Sequence, residues 1–181
     1  MTEMIRLLTV MSVLNIKVKR LKANEVNAVK NLSHINLQIT KLKDEGNVTL
    51  LKQYSDIKIS LENLLNGIVS EYQVNEKKYY NVYNIIISKI ASLSVEELLE
   101  LQKHLGSEIL TLDTFVEVLD SSNDEVSLQC YKKFYGANVL PINGEDFKEE
   151  LLQDIANKRE MYSSLSSYVN GIVLARGNQK K

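Results

Sequence analysis

The sequence predicts an all-α protein: a long antiparallel helical hairpin that is coiled-coil-like, with a smaller helical part and a long C-terminal helix packed on it. Apolar residues recur in alternating steps of four and three over most of the first 93 residues, the spacing of a helix whose seam is covered by another helix. The 181 residues include one proline, Pro141, and seven glycines. Residues that interrupt helices are therefore scarce, which favours helix nearly throughout.

The first helix is predicted by a stripe in which ten of eleven positions are apolar and Glu25 is the exception. The stripe consists of Leu7, Met11, Leu14, Val18, Leu21, Glu25, Ala28, Leu32, Ile35, Ile39 and Leu42. A charge at such a position costs stability unless it is paired, and it can specify register. Gly46-Asn47 follows the stripe and is a turn-forming pair, at which we expect the chain to reverse direction.

A second stripe predicts the returning helix of a hairpin domain that spans residues 1–93. It consists of Leu50, Tyr54, Ile57, Leu61, Leu64 and Ile68, shifts phase through Tyr72, and resumes as Tyr79, Tyr83, Ile86, Ile90 and Leu93. Gly67 lies inside this helix and weakens it locally by roughly 1 kcal/mol.

Residues 94–181 are predicted to form shorter helices and a long last helix that pack on the hairpin. The tetrapeptides that start at Ser94 and Ser122 each have the sequence of a capping box, and glycines at 106 and 136 predict helix ends. A further short helix is predicted over residues 109–119, a loop over 136–144, and the last helix over about 145–175.

Composition excludes several classes of protein. Cys130 is the single cysteine, so an internal disulfide or a thiolate metal cage is excluded, and we expect an inert thiol. The apolar N-terminal segment is interrupted by Arg6, and no run of 18 uncharged apolar residues occurs, so we expect neither a signal peptide nor a transmembrane helix, and a cytoplasmic location. The frequency of Asn, Ile, Lys and Tyr suggests an AT-rich genome, such as that of a bacterium or a virus.

Motifs for catalysis are lacking. The two histidines, His34 and His104, form no metal-ligand spacing, and the sequence contains no phosphate-binding glycine loop, nucleophile elbow or zinc-protease motif. We therefore expect no enzymatic activity, no cofactor and no metal site.

Charge is distributed unevenly. Residues 1–43 hold eight basic and two acidic residues, and residues 94–125 hold nine acidic residues and one basic residue. The strongest basic cluster consists of Lys17, Lys19, Arg20 and Lys22. The basic block 1–43 is interpreted either as a docking site for the acidic short helices or as a surface for nucleic acid or another anionic surface. The cluster itself is interpreted as the solvated flank of a coiled coil or, together with the apolar segment before it, as a membrane surface.

The N-terminal segment contains more apolar residues than one seam requires, which indicates burial on several sides, a partner, or a membrane surface. Candidate partner contacts are Ile5, Leu8 and Val13, to which we add Tyr80, a tyrosine off the stripe. The main hypothesis is a non-enzymatic adaptor or assembly protein that presents helical surfaces to a protein partner or to a second copy of itself. The alternatives are nucleic-acid binding through the basic first helix and peripheral membrane association through the N-terminal segment.

Overall fold

The computed structural model describes residues 1–136 and 147–178, and within these ranges the chain forms five α-helices and no strand. The helices are α1 (Thr2–Asp44), α2 (Val48–Ser92), α3 (Val95–Ser121), α4 (Asp124–Tyr135) and α5 (Phe147–Asn178). The all-α prediction is confirmed. So is the hairpin, because α1 and α2 are antiparallel and pack heavily against each other.

The residues group into two compact units. The hairpin unit comprises residues 17–82, and the five-helix unit comprises residues 1–16 and 83–181. Each long helix therefore contributes one segment to each unit. The predicted division into a hairpin domain, 1–93, and a smaller helical part, 94–181, stays a prediction.

The turn between α1 and α2 forms at the predicted Gly46-Asn47 pair. Gly46 adopts a left-handed φ of 71°. The amide of Gly46 donates to the carbonyl of Lys43, and the amide of Asn47 donates to the carbonyl of Leu42, both at 3.2 Å, which is the hydrogen-bond pattern of a Schellman motif. The Asn47 side chain then accepts from the amide of Leu50 at 3.2 Å, so that the residue that completes one cap also begins the next helix.

The predicted stripe of α1 lies on the covered side of the helix. All eleven of its positions are buried or half-buried. From Met11 to Leu42 the covered positions follow steps of three and four residues without a break, which is a single heptad register. In α2 the buried row is also continuous, so the phase shift predicted at Tyr72 is wrong. The buried or half-buried row consists of Leu51, Tyr54, Lys58, Leu61, Leu65, Ile68, Tyr72, Asn75, Tyr79, Val82 and Ile86. Lys58 and Asn75 interrupt the apolar pattern but not the row.

Glu25 lies half-buried on the seam of α1, where its carboxylate accepts a hydrogen bond from Nζ of Lys22 at 2.8 Å. A pair this exposed contributes about 0.2–1 kcal/mol, whereas burial of a leucine side chain contributes about 1.5–3 kcal/mol. We therefore expect Glu25→Leu to raise the melting temperature by about 2–4 °C and to loosen the register or a partner interaction. Differential scanning calorimetry measures the first effect, and a clear decrease in melting temperature would show that Glu25 makes a needed pair.

Helix α3 begins at the predicted capping box. The Ser94 hydroxyl accepts from the amide of Glu97 at 3.2 Å, and the Glu97 carboxylate accepts from the amide of Ser94 at 2.8 Å, which holds the pKa of Glu97 below its usual value. The predicted end at Gly106 is wrong, because α3 continues to Ser121. A glycine inside a helix costs about 1 kcal/mol, and the burial of leucines on both sides of Gly106 outweighs that cost. These leucines are Leu98, Leu101, Leu105, Leu112 and Leu119.

Helix α4 is capped by Asn123 rather than by the predicted Ser122. The Asn123 side chain accepts from the amide of Val126 at 3.1 Å, while the hydroxyl of Ser122 lies 3.2 Å from that of Ser127. Asparagine is as good a cap as serine, so the one-residue shift costs nothing locally. Gly136 ends α4 as predicted, with a φ of 117°. The remainder of the predicted loop, 137–144, lies outside the described residues.

Helix α5 packs along α3 and completes the core of the five-helix unit. It begins at Phe147 and extends three residues past the predicted end. The Asn15 amide of α1 donates to the carbonyl of Asn157 at 3.0 Å, and the Arg176 guanidinium donates to the carbonyls of Ala91 and Leu93 at the end of α2. The last helix thus contacts both hairpin helices within this unit.

Candidate protein-interaction surface

Three large apolar side chains of α2 remain exposed at a spacing of seven residues. Leu50, Ile57 and Leu64 are 40%, 45% and 55% exposed. Each directly precedes a residue of the buried row, so that the three form a second row beside the seam. Single exposed apolar residues are ordinary, but a heptad-spaced row is the pattern of a helix that receives another helix.

Three small or polar residues, Gln53, Ser60 and Gly67, alternate with these apolar residues along the helix. Together the six residues form a face that we call the α2 docking face: Leu50, Gln53, Ile57, Ser60, Leu64 and Gly67. All six residues are exposed and none is charged. The Ser60 hydroxyl donates to the carbonyl of Asp56 at 3.0 Å and is satisfied within its own helix. A Cβ placed on Gly67 would meet no atom within 4 Å, so the space above it is open.

Sequence reasoning merged this face with the seam. The predicted stripe combined the exposed residues with Tyr54, Leu61 and Ile68, which belong to the buried row. The signal that separates the two rows is the unbroken seven-residue spacing through Lys58 and Asn75, which appears only when polar residues are allowed in the seam.

The predicted N-terminal contacts are not brought together as one surface. Leu8 is 1% exposed and belongs to the core, Ile5 is half-buried, and Val13 is 60% exposed. Leu8 is therefore unavailable as a partner contact, because the five-helix unit already covers it. Tyr80 is exposed on the hairpin unit, where its ring packs edge-on against Tyr79 at 5.4 Å. A partner role for Ile5, Val13 and Tyr80 stays a prediction.

Two members of the basic cluster are paired within the hairpin unit. Lys17 lies 2.8 Å from a carboxylate oxygen of Glu71, and Nζ of Lys22 binds Glu25 and lies 5.3 Å from the ring centroid of Tyr72. Lys19 is exposed and Arg20 is half-buried. Part of this charge is therefore neutralised by neighbouring side chains, as expected for a coiled-coil flank.

Two acids of the 94–125 segment pair with α5 instead of the first helix. Glu108 lies 3.9 Å from Nζ of Lys158, and Asp113 lies 2.5 Å from Nε of Arg159. For these residues the expected docking on the basic arm is replaced by pairing inside the five-helix unit.

Two tyrosines have raised pKa values. The Tyr72 hydroxyl donates to the Glu76 carboxylate at 2.5 Å, and this bond, together with desolvation, raises the pKa of Tyr72 to about 12. Burial, assisted by the charge of Glu108, raises the pKa of Tyr162 to about 12. Both phenols therefore remain neutral at physiological pH.

The five-helix unit contains a buried carboxylate within an aromatic cluster. Asp154 is 1% exposed, and the Tyr135 hydroxyl donates to it at 2.5 Å. The rings of Tyr131 and Tyr135 lie 4.4 Å apart, and Phe147 packs edge-on against Tyr131 at 5.8 Å. Close by in sequence, burial lowers the pKa of Lys158. The hydrogen bond between Tyr135 of α4 and Asp154 of α5 is a buried polar contact of the kind that fixes the orientation of packed helices.

An open groove of about 340 Å³ lies between α3 and α4. Its walls include Phe115, Val118 and Val126, together with the half-buried Cys130 and with Lys133, whose Nζ lies 5.6 Å from the ring of Phe115.

His34 is exposed and His104 is half-buried. Within the described ranges, no group of three His, Cys, Asp or Glu side chains could hold a metal ion. Over the same residues, none of the helices has the length and apolar character needed to cross a bilayer.

Comparison of the chain with protein-family models, with curated proteins and with solved structures finds no match. The assignment of a function therefore depends on the geometry of the surface described above.

Proposed function

We propose that this protein is a non-enzymatic adaptor or assembly protein that acts in the cytoplasm and binds a helix on the α2 docking face. The observation that carries the proposal is the exposed row of Leu50, Ile57 and Leu64 beside the hairpin seam. Each side chain is about half exposed, and covering it would contribute roughly 1 kcal/mol. A third helix laid in this position would convert a two-helix seam into a three-helix one.

The chemistry of the face favours an apolar helix as the ligand. Because none of its six residues is charged, it offers no complement to a phosphate backbone or to a strongly acidic peptide. Nucleic-acid binding through the basic first helix has less support, since Lys17 and Lys22 are engaged by Glu71 and Glu25. An affinity for nucleic acid that falls steeply with salt would favour that alternative.

Photo-crosslinking in the native host tests the proposal. A benzophenone amino acid replaces Ile57 in one variant and Lys30, an exposed residue on the outer side of α1, in the control. We expect a discrete protein adduct from position 57, because a helix that covers the row would touch that side chain, and none from position 30. The adduct contains either a second copy of this chain or another protein. Absence of an adduct at position 57 would refute the proposed function.

A further inference from the structure

We propose that the helix bound on the α2 docking face is the same face of a second copy, in antiparallel orientation, so that the protein is a twofold-symmetric dimer. This inference rests on the proposed function and names its partner. It follows from the order of large and small residues along the face.

The face is complementary to itself only when one copy is reversed. Large residues occupy positions 50, 57 and 64, and small or polar residues occupy positions 53, 60 and 67. A twofold axis between residues 58 and 59 places Leu50 opposite Gly67 of the second copy. The same axis places Ile57 opposite Ser60 of the second copy, and Leu64 opposite Gln53 of the second copy. Every large side chain then meets a small or flexible one, as close packing requires.

The symmetry doubles each contact. Because a twofold interface uses the same patch on both copies, the three pairings occur twice and give six layers. The layers extend over residues 50–67, which span about 27 Å of helix at 1.5 Å per residue. A parallel pairing would instead place Gly67 against Gly67 and Leu64 against Leu64, leaving one layer empty and the next crowded.

The flanks of the face also favour the antiparallel orientation. On one side the flanking residues are apolar or aromatic, namely Tyr54, Leu61 and Ile68, and on the other side they include Asp56 and Asn63. Antiparallel pairing brings the polar flanks of the two copies together, so that the carboxylate of Asp56 lies near the amide of Asn63 of the second copy. Parallel pairing would place that carboxylate beside Leu61 of the second copy. The reversed second copy is therefore favoured, because it keeps the Asp56 carboxylate in a polar environment instead of against an apolar side chain.

Sedimentation equilibrium of the full chain tests the dimer. We expect the wild-type chain to be dimeric and the combined variant Leu50→Gln, Ile57→Gln, Leu64→Gln to be monomeric with unchanged helix content. The control carries Val26→Gln, Val29→Gln and Leu37→Gln, three exposed apolar residues of α1 in the same unit, and should remain dimeric. If the combined variant loses helix content, the single variant Ile57→Lys serves in its place.

Spin-label distances test the orientation. In a Cys130→Ser background, one label at Thr49 should lie roughly 30 Å along the helix axis from its symmetry mate, and one at Asn63 roughly 15 Å, given 1.5 Å per residue. A parallel dimer would give equal, short distances at both positions and would overturn the inference. A monomeric wild-type chain, or a dimer that persists in the combined variant, would also overturn it. An Ile57 crosslink to a different protein would then leave the proposed function standing, whereas absence of any crosslink would remove both.

Discussion

Replacing Leu105 by alanine is expected to lower the free energy of unfolding by about 3 kcal/mol, a value within the range for truncation of a buried leucine. Leu105 is fully buried on the side of α3 that faces the core of the five-helix unit. Truncation removes apolar contacts and leaves a cavity, because the neighbouring helices relax only partially. Urea unfolding followed by far-ultraviolet dichroism measures the change.

Leu110→Ala is the matched control. It is the same substitution in the same helix, but Leu110 is 68% exposed. Alanine has a helix propensity at least as high as that of leucine, so we expect a change within about 0.5 kcal/mol. Equal losses in the two variants would contradict the assignment of the buried face of α3.

Local signals in the sequence were sufficient for the elements that depend on local chemistry. The turn at Gly46-Asn47 follows from a residue that tolerates positive φ and from an asparagine that caps the next helix. The start of α3 follows from a hydroxyl and a carboxylate at capping-box spacing. These features are formed by hydrogen bonds between residues a few positions apart, so both partners can be recognised within a short segment of the sequence.

Signals that depend on packing were misinterpreted. Gly106 predicts a helix end, but burial on both sides of it, supplied by contacts with α5, determines that α3 continues. In α2, Lys58 and Asn75 occupy seam positions that an apolar search passes over. The tertiary partner, absent from any local window, decides both cases.

The candidate surface was missed for the same reason. Leu8 and Val13 both add to the apolar surplus of the N-terminal segment, yet the five-helix unit covers the first and leaves the second exposed. Conversely, the spacing of Leu50, Ile57 and Leu64 predicts seam positions, because a strong apolar stripe does not reveal which of its edges another helix covers. Only the structure shows that two adjacent rows, one buried and one exposed, share α2.

Replacing Tyr135 by phenylalanine is expected to lower the free energy of unfolding by about 2 kcal/mol, as for loss of a hydrogen bond to a charged group. The hydroxyl of Tyr135 donates to Asp154 at 2.5 Å, and this carboxylate has almost no contact with solvent. A buried acceptor that loses a donor retains its desolvation cost. Tyr168→Phe, which removes a hydroxyl from a tyrosine of α5 that is exposed, should change the free energy of unfolding by less than about 0.5 kcal/mol.

A double-mutant cycle separates the hydrogen bond from packing. Asp154→Leu removes the carboxylate while keeping a side chain of similar size, and in that background Tyr135→Phe should cost much less than it does alone. The expected coupling is at least about 1 kcal/mol, measured from urea unfolding of the four proteins. Additive losses would mean that the Tyr135 hydroxyl stabilises the fold through contacts other than the Asp154 carboxylate, because the phenylalanine variant keeps the ring. In that case the hydrogen bond between Tyr135 and Asp154 would contribute nothing to stability, and the buried carboxylate would be stabilised by other groups in the five-helix unit.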